Sequence, residues 1–425
     1  MKDIAEKSLF DIPGGWKTLL WILVLLGIGM FIAGLMTGGE ESVVRTWQAF
    51  LINTVFWGGI AHAGVLFAVI WQLTDAKWGR AFKRLAEACA GFLPISFLMF
   101  MVVFFGSHVL YEWTHTPFLH HGEAVKQGWL NLPFFISRNV FWLLLIYGIS
   151  YWFIKTSIKP DIALARRLIG SDWGGKFADW VLEDYGEHET EVIRLEKLSR
   201  KIAPVLALVY SIGGSFLAWD FVMTLDQTWF STLFGVFVMI GNMHAFLGLM
   251  LVVAVTVRKK FAIEEYISIN RLHDLAKMTF AFSLLWTYMG YSQYIVIWYA
   301  DLPEETPYLI IRSMNAPWNT LFLVIILWVF VSVFLGLLPR TLCRMPNYIR
   351  LMGIWVMLGQ LLSVYIMVVP SLQHDGHYHI FMGMHELLIT LGFVGAFFLC
   401  YLAFLGKLPI LPISDKHLCR TWHGH

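Results

Sequence analysis

The chain has 425 residues, of which 58% are hydrophobic and 14% are charged, and its mean hydropathy is +0.65. A soluble domain carries about 25% charged residues, so this composition excludes an ordinary soluble protein. The net charge of +2 gives no field that would suggest nucleic-acid binding. Four cysteines stand far apart, without a CxxC, CxxCH or iron–sulfur pattern, so no covalent haem or cysteine-ligated cluster is expected in this chain.

Apolar segments of membrane length follow one another along the whole chain. The first stretch, 1–16, is too polar for a signal peptide, and the apolar run after it is interpreted as a retained helix. About ten spans of roughly 20 residues are predicted, at 17–36, 47–73, 89–111, 134–155, 202–224, 229–257, 275–299, 317–338, 347–369 and 385–405. They predict an all-α, multi-pass integral membrane fold.

The distribution of Lys and Arg predicts the orientation, because positive residues gather in cytoplasmic loops. Of 31 Lys and Arg residues, all but Arg45, Lys126, Arg138 and Arg312 lie in the two ends of the chain and in alternate connections. Both termini are therefore predicted to be cytoplasmic. The connection 156–201 is long and charged, and it is predicted to be amphipathic and helical around 161–168 and 189–201. Two interpretations stay open: a cytoplasmic surface helix that serves as a docking site, or a solvated connector.

A short pattern occurs twice. Residues 59–63 read GIAHA and residues 241–245 read GNMHA, and each copy is followed by Arg-Leu-x-acid, at 84–87 and at 271–274. Four spans lie between the copies, so both would have the same orientation, as in a parallel repeat. This predicts two four-helix bundles, spans 2–5 and 6–9, with spans 1 and 10 at their flanks. The predicted units are 1–46 (tail and flanking helix), 47–224 (first bundle, with loop 156–201), 229–369 (second bundle) and 370–425 (flanking helix and tail).

Each copy of the pattern places one histidine, His62 or His244, near the middle of a span. An ionisable group at that depth is costly and is functional by default, and an unperturbed imidazole titrates at a pH of about 6.5. Three interpretations stay open for the two rings: a proton relay, interhelical hydrogen bonds, or joint ligation of one b-type haem.

Asp220 is predicted about one turn inside the outer face, with Arg138 as the nearest cation in depth. The pair is interpreted as a proton exit or as a structural ion pair. His273, Asp274 and Lys277 open span 7 and predict either a proton-entry cluster or charges that suit a helix N-terminus. The full set considered for a proton path is His62, Asp220, His244, His273, Asp274, Lys277, Tyr291, Glu386 and Arg138. No metal site and no hydrolase motif is predicted.

Two blocks resemble a known family. Residues 217–235 (LAWDFVMTLDQTWFSTLFG) and 273–277 (HDLAK), together with 291–306 (YSQYIVIWYADLPEET), resemble signatures of NrfD-like (polysulfide reductase membrane-subunit) proteins of bacterial alternative complex III. The short N-terminus and span 2 are more similar to the ActF-type subunit than to its sister, the ActC-type subunit. Residues that match the signatures are Asp220, His273, Asp274, Lys277, Tyr291, Gln293, Tyr294, Glu304 and Glu305.

The resemblance implies a subunit of a quinol:cytochrome c (or terminal oxidase) oxidoreductase in the bacterial inner membrane. It implies that (mena)quinol, iron–sulfur clusters and c-type haems belong to partner subunits, which include a homologous NrfD-like subunit, an iron–sulfur protein and c-type cytochromes. This chain would supply a scaffold and a proton path, without a redox centre of its own. Two alternatives stay open: a quinol-binding subunit in its own right, and a stand-alone secondary transporter. Ala300-Asp301 and Asp226-Gln227 depart from the signatures, in outer loops.

Overall fold

The computed structural model describes residues 2, 5–6, 10–37, 39–116, 119–120, 123–124, 126–373 and 379–415. Helices dominate this part of the chain. They are α1 (Gly14–Met36), α2 (Glu40–Thr74), α3 (Arg80–Phe105, with 3-10 turns at both Arg80–Phe82 and Ala88–Phe92), α4 (Leu132–Ile169), α5 (Gly175–Val181), α6 (His188–Phe221), α7 (Phe234–Lys260), α8 (Ile269–Ala300), α9 (Thr306–Ser313), α10 (Trp318–Leu337, π-helical over Ile326–Ser332), α11 (Pro346–Val368) and α12 (Met384–Leu405).

Shorter elements lie in the connections. Single helical turns cover Ser107–Leu110, Glu112–Thr114, Met223–Leu225, Leu342–Arg344 and Pro370–Leu372, and Leu119–His120 pairs antiparallel with Glu123–Ala124. We call the end of the bundle with the connections 75–79, 170–187, 261–268 and 338–345 the basic end, and the opposite end the acidic end.

Nine helices of the described chain are long and apolar enough to cross a membrane: α1–α4, α6, α7 and α10–α12. The prediction of a helical, multi-pass membrane protein is therefore confirmed. The predicted span 275–299 lies in α8, which has 32 residues but is too polar to meet the same standard. It still runs the length of the bundle, because its two ends form hydrogen bonds at opposite ends of the molecule. Asn270 accepts a hydrogen bond from Arg344 at the basic end, and Gln293 accepts one from Ser231 at the acidic end.

The connection predicted at 156–201 is much shorter in the structure. Lys155 and Lys159 suggested that span 4 ends there, but α4 continues through Pro160 to Ile169, and α6 already begins at His188. Only 170–187, with the short α5, connects the two helices. The helical segments predicted at 161–168 and 189–201 belong to these two long helices, and one face of the first is buried: Asp161 is 0% exposed.

Two helices form the centre of the molecule. α2 is the most buried candidate span, and it packs against α3, α6, α7, α11 and α12. α7 packs in turn against α6, α8 and α11. In each predicted bundle the first helix contacts the second and the fourth, and the third contacts the fourth. This common order agrees with the predicted repeat, which itself stays a prediction. His62 and His244 lie on these two central helices.

The flanking helices α1 and α12 pack tightly against each other along a row of glycines. A side chain at Gly27 would collide with the Cα of Gly392, and a side chain at Gly34 would collide with His385. The two contacts run in opposite order along the chain, so the helices are antiparallel. Small residues let helix backbones approach closely in lipid, where van der Waals packing and not the hydrophobic effect holds helices together.

We expect Gly27→Leu to destabilise the protein by about 1 to 3 kcal/mol, because an added side chain forces α1 away from α12. The measurement is the midpoint of unfolding in detergent. Gly29→Leu is the matched control, since a Cβ at Gly29 meets nothing within 4 Å. Equal midpoints for the two variants would contradict the close packing of these helices.

Candidate functional site

Buried polar side chains in the first bundle form three layers. The acidic-end layer consists of Arg138 and Asn139 from α4 and Asp220 from α6. Arg138 donates from Nε and Nη2 to the two carboxylate oxygens of Asp220, at 2.7 Å each, and Asn139 Nδ2 donates to the same carboxylate at 2.9 Å. Asp220 is 0% exposed. The bidentate pair neutralises a carboxylate that has no access to solvent.

The pair is also enclosed by aromatic rings. The guanidinium of Arg138 stands 3.8 Å from the Trp129 ring centroid and 4.5 Å from that of Phe134, which are cation–π contacts. Four phenylalanines close to this layer are joined by four ring contacts, with centroids 4.8 to 5.8 Å apart: Phe100, Phe104, Phe135 and Phe221. This phenyl cluster packs beside the acidic-end layer. Deeper along α4, the buried side chains of Leu143 and Ile146 lie between that layer and Tyr147.

The middle layer consists of His62 of α2, Tyr147 of α4 and Tyr210 of α6. The His62 ring centroid lies 4.9 Å from that of Tyr147 and 5.8 Å from that of Tyr210. Tyr147 exchanges a hydrogen bond with Ser96 at 3.0 Å, and Tyr210 with Asn242 of α7. His62 is 6% exposed, and its Nε2 has no hydrogen-bond partner among the described residues.

The corresponding histidine of the second bundle has a different environment. His244 is 0% exposed, and its Nδ1 lies 2.8 Å from the amide nitrogen of Gln360 on α11. Its Nε2 also lacks a partner within the described part of the chain. The repeated pattern has a packing role as well, because Gly59 leaves room for the side chain of Asn242 where α2 meets α7.

The basic-end layer consists of Arg84, Glu87 and Asp161, all at most 1% exposed. Arg84 donates to both carboxylates. Glu87 also accepts from Ser157 Oγ at 2.5 Å, and Asp161 accepts from the backbone N–H of Ser414 at 2.8 Å. Two acids therefore share one guanidinium, and hydroxyl and amide donors satisfy the remaining lone pairs. The layer joins α3 to α4 and to the segment after α12.

A polar cavity opens beside this layer. Its volume is about 210 Å³, and its lining includes Arg80, Lys83, Arg84, Ser157 and Ser414. A water molecule takes about 30 Å³ of liquid, so the cavity has room for several. It offers water a way to the edge of the basic-end layer.

The layers are separated along α4. Asn139 and Tyr147 are eight positions apart, or roughly 12 Å at 1.5 Å per residue, and Tyr147 and Ser157 are ten positions apart, or roughly 15 Å. The intervals contain fully or almost fully buried apolar side chains, such as Leu143 and Ile154. The polar groups are stacked in one bundle, but apolar side chains lie between one layer and the next.

A second buried arginine lies at the acidic end. Arg312, at the end of α9, donates to the backbone carbonyls of Ile366, Met367 and Tyr308 at 2.9 to 3.1 Å and to Ser371 Oγ at 2.6 Å. Burial lowers the pKa of the Arg312 guanidinium, but such a group starts so far above neutrality that it stays charged. It meets the C-terminal, negative end of the α11 dipole.

Sequence reasoning assigned no role to Arg312, although a signal was present. Arg138 begins the third helix of the first bundle, and Arg312 precedes the third helix of the second. Each guanidinium reaches the next-to-last residue of the fourth helix, Asp220 in α6 and Met367 in α11. The repeat prediction could therefore have pointed to Arg312, but not to its carbonyl partners.

Several residues of the predicted proton path lie apart from the three layers. Lys277 pairs with Asp274 at 2.8 Å, with side chains 59% and 39% exposed, and His273 is half-buried beside them. Tyr291 is 59% exposed on the surface of α8, and helical spacing buries Gln293 instead. Tyr291 therefore does not face the interior of this chain and lies apart from the three layers.

Glu386 also has a local partner. Its carboxylate accepts from Arg45 Nε at 2.8 Å and from the backbone N–H of Gly383 at 2.9 Å. Next to it, His385 Nε2 lies 2.8 Å from Thr46 Oγ1. These contacts hold the start of α12 against the start of α2, at the acidic end. Glu386 thus belongs to the packing of a flanking helix and is remote from Asp220 in the contacts that the structure describes.

The sequence matches no protein-family model and no curated protein. The likeness to NrfD-like subunits therefore depends on the two sequence blocks alone.

We expect Arg84→Met to destabilise the protein by about 3 to 5 kcal/mol, because two buried carboxylates lose their cation. Lys277→Met is the control, since it breaks an exposed pair worth at most about 1 kcal/mol. Unfolding in detergent measures both. The triple variant Arg84→Met, Glu87→Gln, Asp161→Asn should recover much of the loss. A single variant as stable as the control would contradict the role of this layer.

Proposed function

We propose that this chain is an integral membrane subunit of a quinol-oxidising respiratory complex that passes electrons to cytochrome c or a terminal oxidase. It would serve as a scaffold and a transmembrane proton route, while partner subunits hold the redox centres. The sequence resemblance suggests the complex. The observation that favours a proton route is the stack of three buried layers with titratable groups in one bundle: Asp220, then His62, then Glu87 with Asp161.

The chemistry of each layer suits a step in proton transfer. At the basic end, water in the 210 Å³ cavity would reach the edge of a layer that holds two carboxylates and one guanidinium. In the middle layer, the Nε2 of His62 is buried and has no protein partner within the described residues, so a water molecule that entered this layer could exchange a hydrogen bond with it. At the acidic end, Asp220 could accept a proton once its hydrogen bonds from Arg138 are broken or lengthened. The hydrogen bond from Asn139 would keep the carboxyl group in place.

The apolar intervals define what such a route requires. A proton moves between heavy atoms in hydrogen-bond contact, about 3 Å apart, whereas the layers are separated by roughly 12 and 15 Å along α4. Several water molecules would have to enter each interval, or side chains would have to move. The interval between Asp220 and His62 is the shorter of the two and would act as the gate, because Leu143 and Ile146 of α4 are fully buried there.

We expect the double variant Arg138→Gln, Asp220→Asn to oxidise quinol but to release fewer protons per electron, because the exit carboxylate is gone. Removing both charges leaves neither one buried alone, so the fold should persist. The assay measures proton release and electron transfer by the purified complex in liposomes. Asp301→Asn, an exposed loop residue, is the control.

The outcomes also separate the alternatives. Unchanged proton release per electron in the double variant would remove the proton route and leave a scaffold. Loss of quinol oxidation in a well-folded double variant would favour quinol binding by this chain. A protein that purifies alone, without haem-bearing partners, would favour a transporter.

A further inference from the structure

A long apolar groove lies on the flank of the molecule, away from the three layers. Helix α1 touches the rest of the protein mainly through the glycine contacts with α12, and a cavity of about 930 Å³ remains between α1, α12 and α3. Its lining includes Val24 and Phe31 of α1, Ile95 of α3 and Ala396 of α12. No charged side chain lines this apolar part of the groove.

The groove has the length of a lipid tail. Lys17 and Phe31 both line it, and they are fourteen positions apart in α1, or roughly 21 Å at 1.5 Å per residue. The hydrocarbon core of a bilayer is about 30 Å thick, so one leaflet is about half of that. A groove of this length, parallel to a spanning helix, accommodates one acyl chain of a single leaflet with the head group at the membrane surface.

One end of the groove is positively charged. Lys17 lies in the first turns of α1, and Lys407 directly follows α12. The antiparallel packing of the two helices brings both lysines to the basic end, where both line the groove. Neither forms an ion pair with a carboxylate of the described chain. Lys260 adds a third positive charge, 4.8 Å from the ring of Phe10, which also lines the groove.

Little negative charge in the groove opposes these lysines. Asp11 is the acidic residue that lines the groove, and it leaves a positive balance against Lys17 and Lys407. A basic pocket between membrane helices at the cytoplasmic side is the environment that attracts anionic head groups. The apolar length and the charged end therefore require the same occupant: a molecule with an acyl chain and a phosphate.

We propose that this groove binds an anionic phospholipid, with its phosphate between Lys17 and Lys407 and one acyl chain along α1. The lipid fills the space that the glycine contacts leave open and holds α1 against α3. This site is independent of the proposed proton route, because none of its residues belongs to the three layers.

Native mass spectrometry of the purified full-length chain tests the proposal, with phosphatidylglycerol and phosphatidylcholine of identical acyl chains as probes. We expect retention of one phosphatidylglycerol and little phosphatidylcholine. Lys17→Ala with Lys407→Ala should weaken phosphatidylglycerol binding about thirtyfold, as expected for two lysines near a charged lipid. Lys176→Ala with Lys197→Ala is the control, since it removes two exposed basic-end lysines outside the groove.

A second variant separates the groove from general attraction to the surface. Ala396→Trp fills the apolar part and keeps both lysines, so it should also abolish retention of phosphatidylglycerol. Three results would overturn the proposal: equal retention of the two lipids, unchanged phosphatidylglycerol binding without Lys17 and Lys407, or unchanged binding in the filled groove.

Discussion

An ionised side chain inside a membrane protein is stable only when an opposite charge or a set of oriented dipoles surrounds it. This protein meets that requirement in two ways. Arg138 with Asp220, and Arg84 with Glu87 and Asp161, form buried ion pairs. Arg312 instead collects the carbonyls at the end of α11. The contacts of Arg138 with Asp220, of Arg84 with Asp161 and of Arg312 with α11 connect different helices, so compensation of charge also sets how these helices stand relative to one another.

Pairing of charge and conduction of protons make opposite demands. A carboxylate held by two guanidinium nitrogens and an amide must give up part of that contact before it can take a proton. The same holds at the basic end, where two acids share one arginine. In the proposed proton route, an arginine would therefore have to move before either of these layers could take up a proton. His62 is different, since its Nε2 is not committed to a protein partner in the described chain.

The packing of α1 against α12 combines close backbone contact with open space beside it. α1 and α12 meet at Gly27 and Gly392 with no space for a side chain, yet beside this contact the structure leaves a cavity of about 930 Å³. Close backbone contact holds two helices along one line only, and the curved surfaces on either side diverge. Lipid tails are suited to such spaces, because they are apolar and flexible.

The amino-acid sequence by itself determined the class of the protein and nine of the candidate spans, and it placed His62, His244 and Asp220 within such helices, because length and hydropathy are local properties. It did not show that Asp161 is buried or that Tyr291 faces outward. Only the tertiary structure decided which groups meet, such as Arg84 with Asp161, 77 positions away, and Arg312 with backbone carbonyls. It also revealed the apolar intervals between the layers. Periodicity shows that a side chain lies on some face of a helix, but which neighbour covers that face depends on how the helices pack.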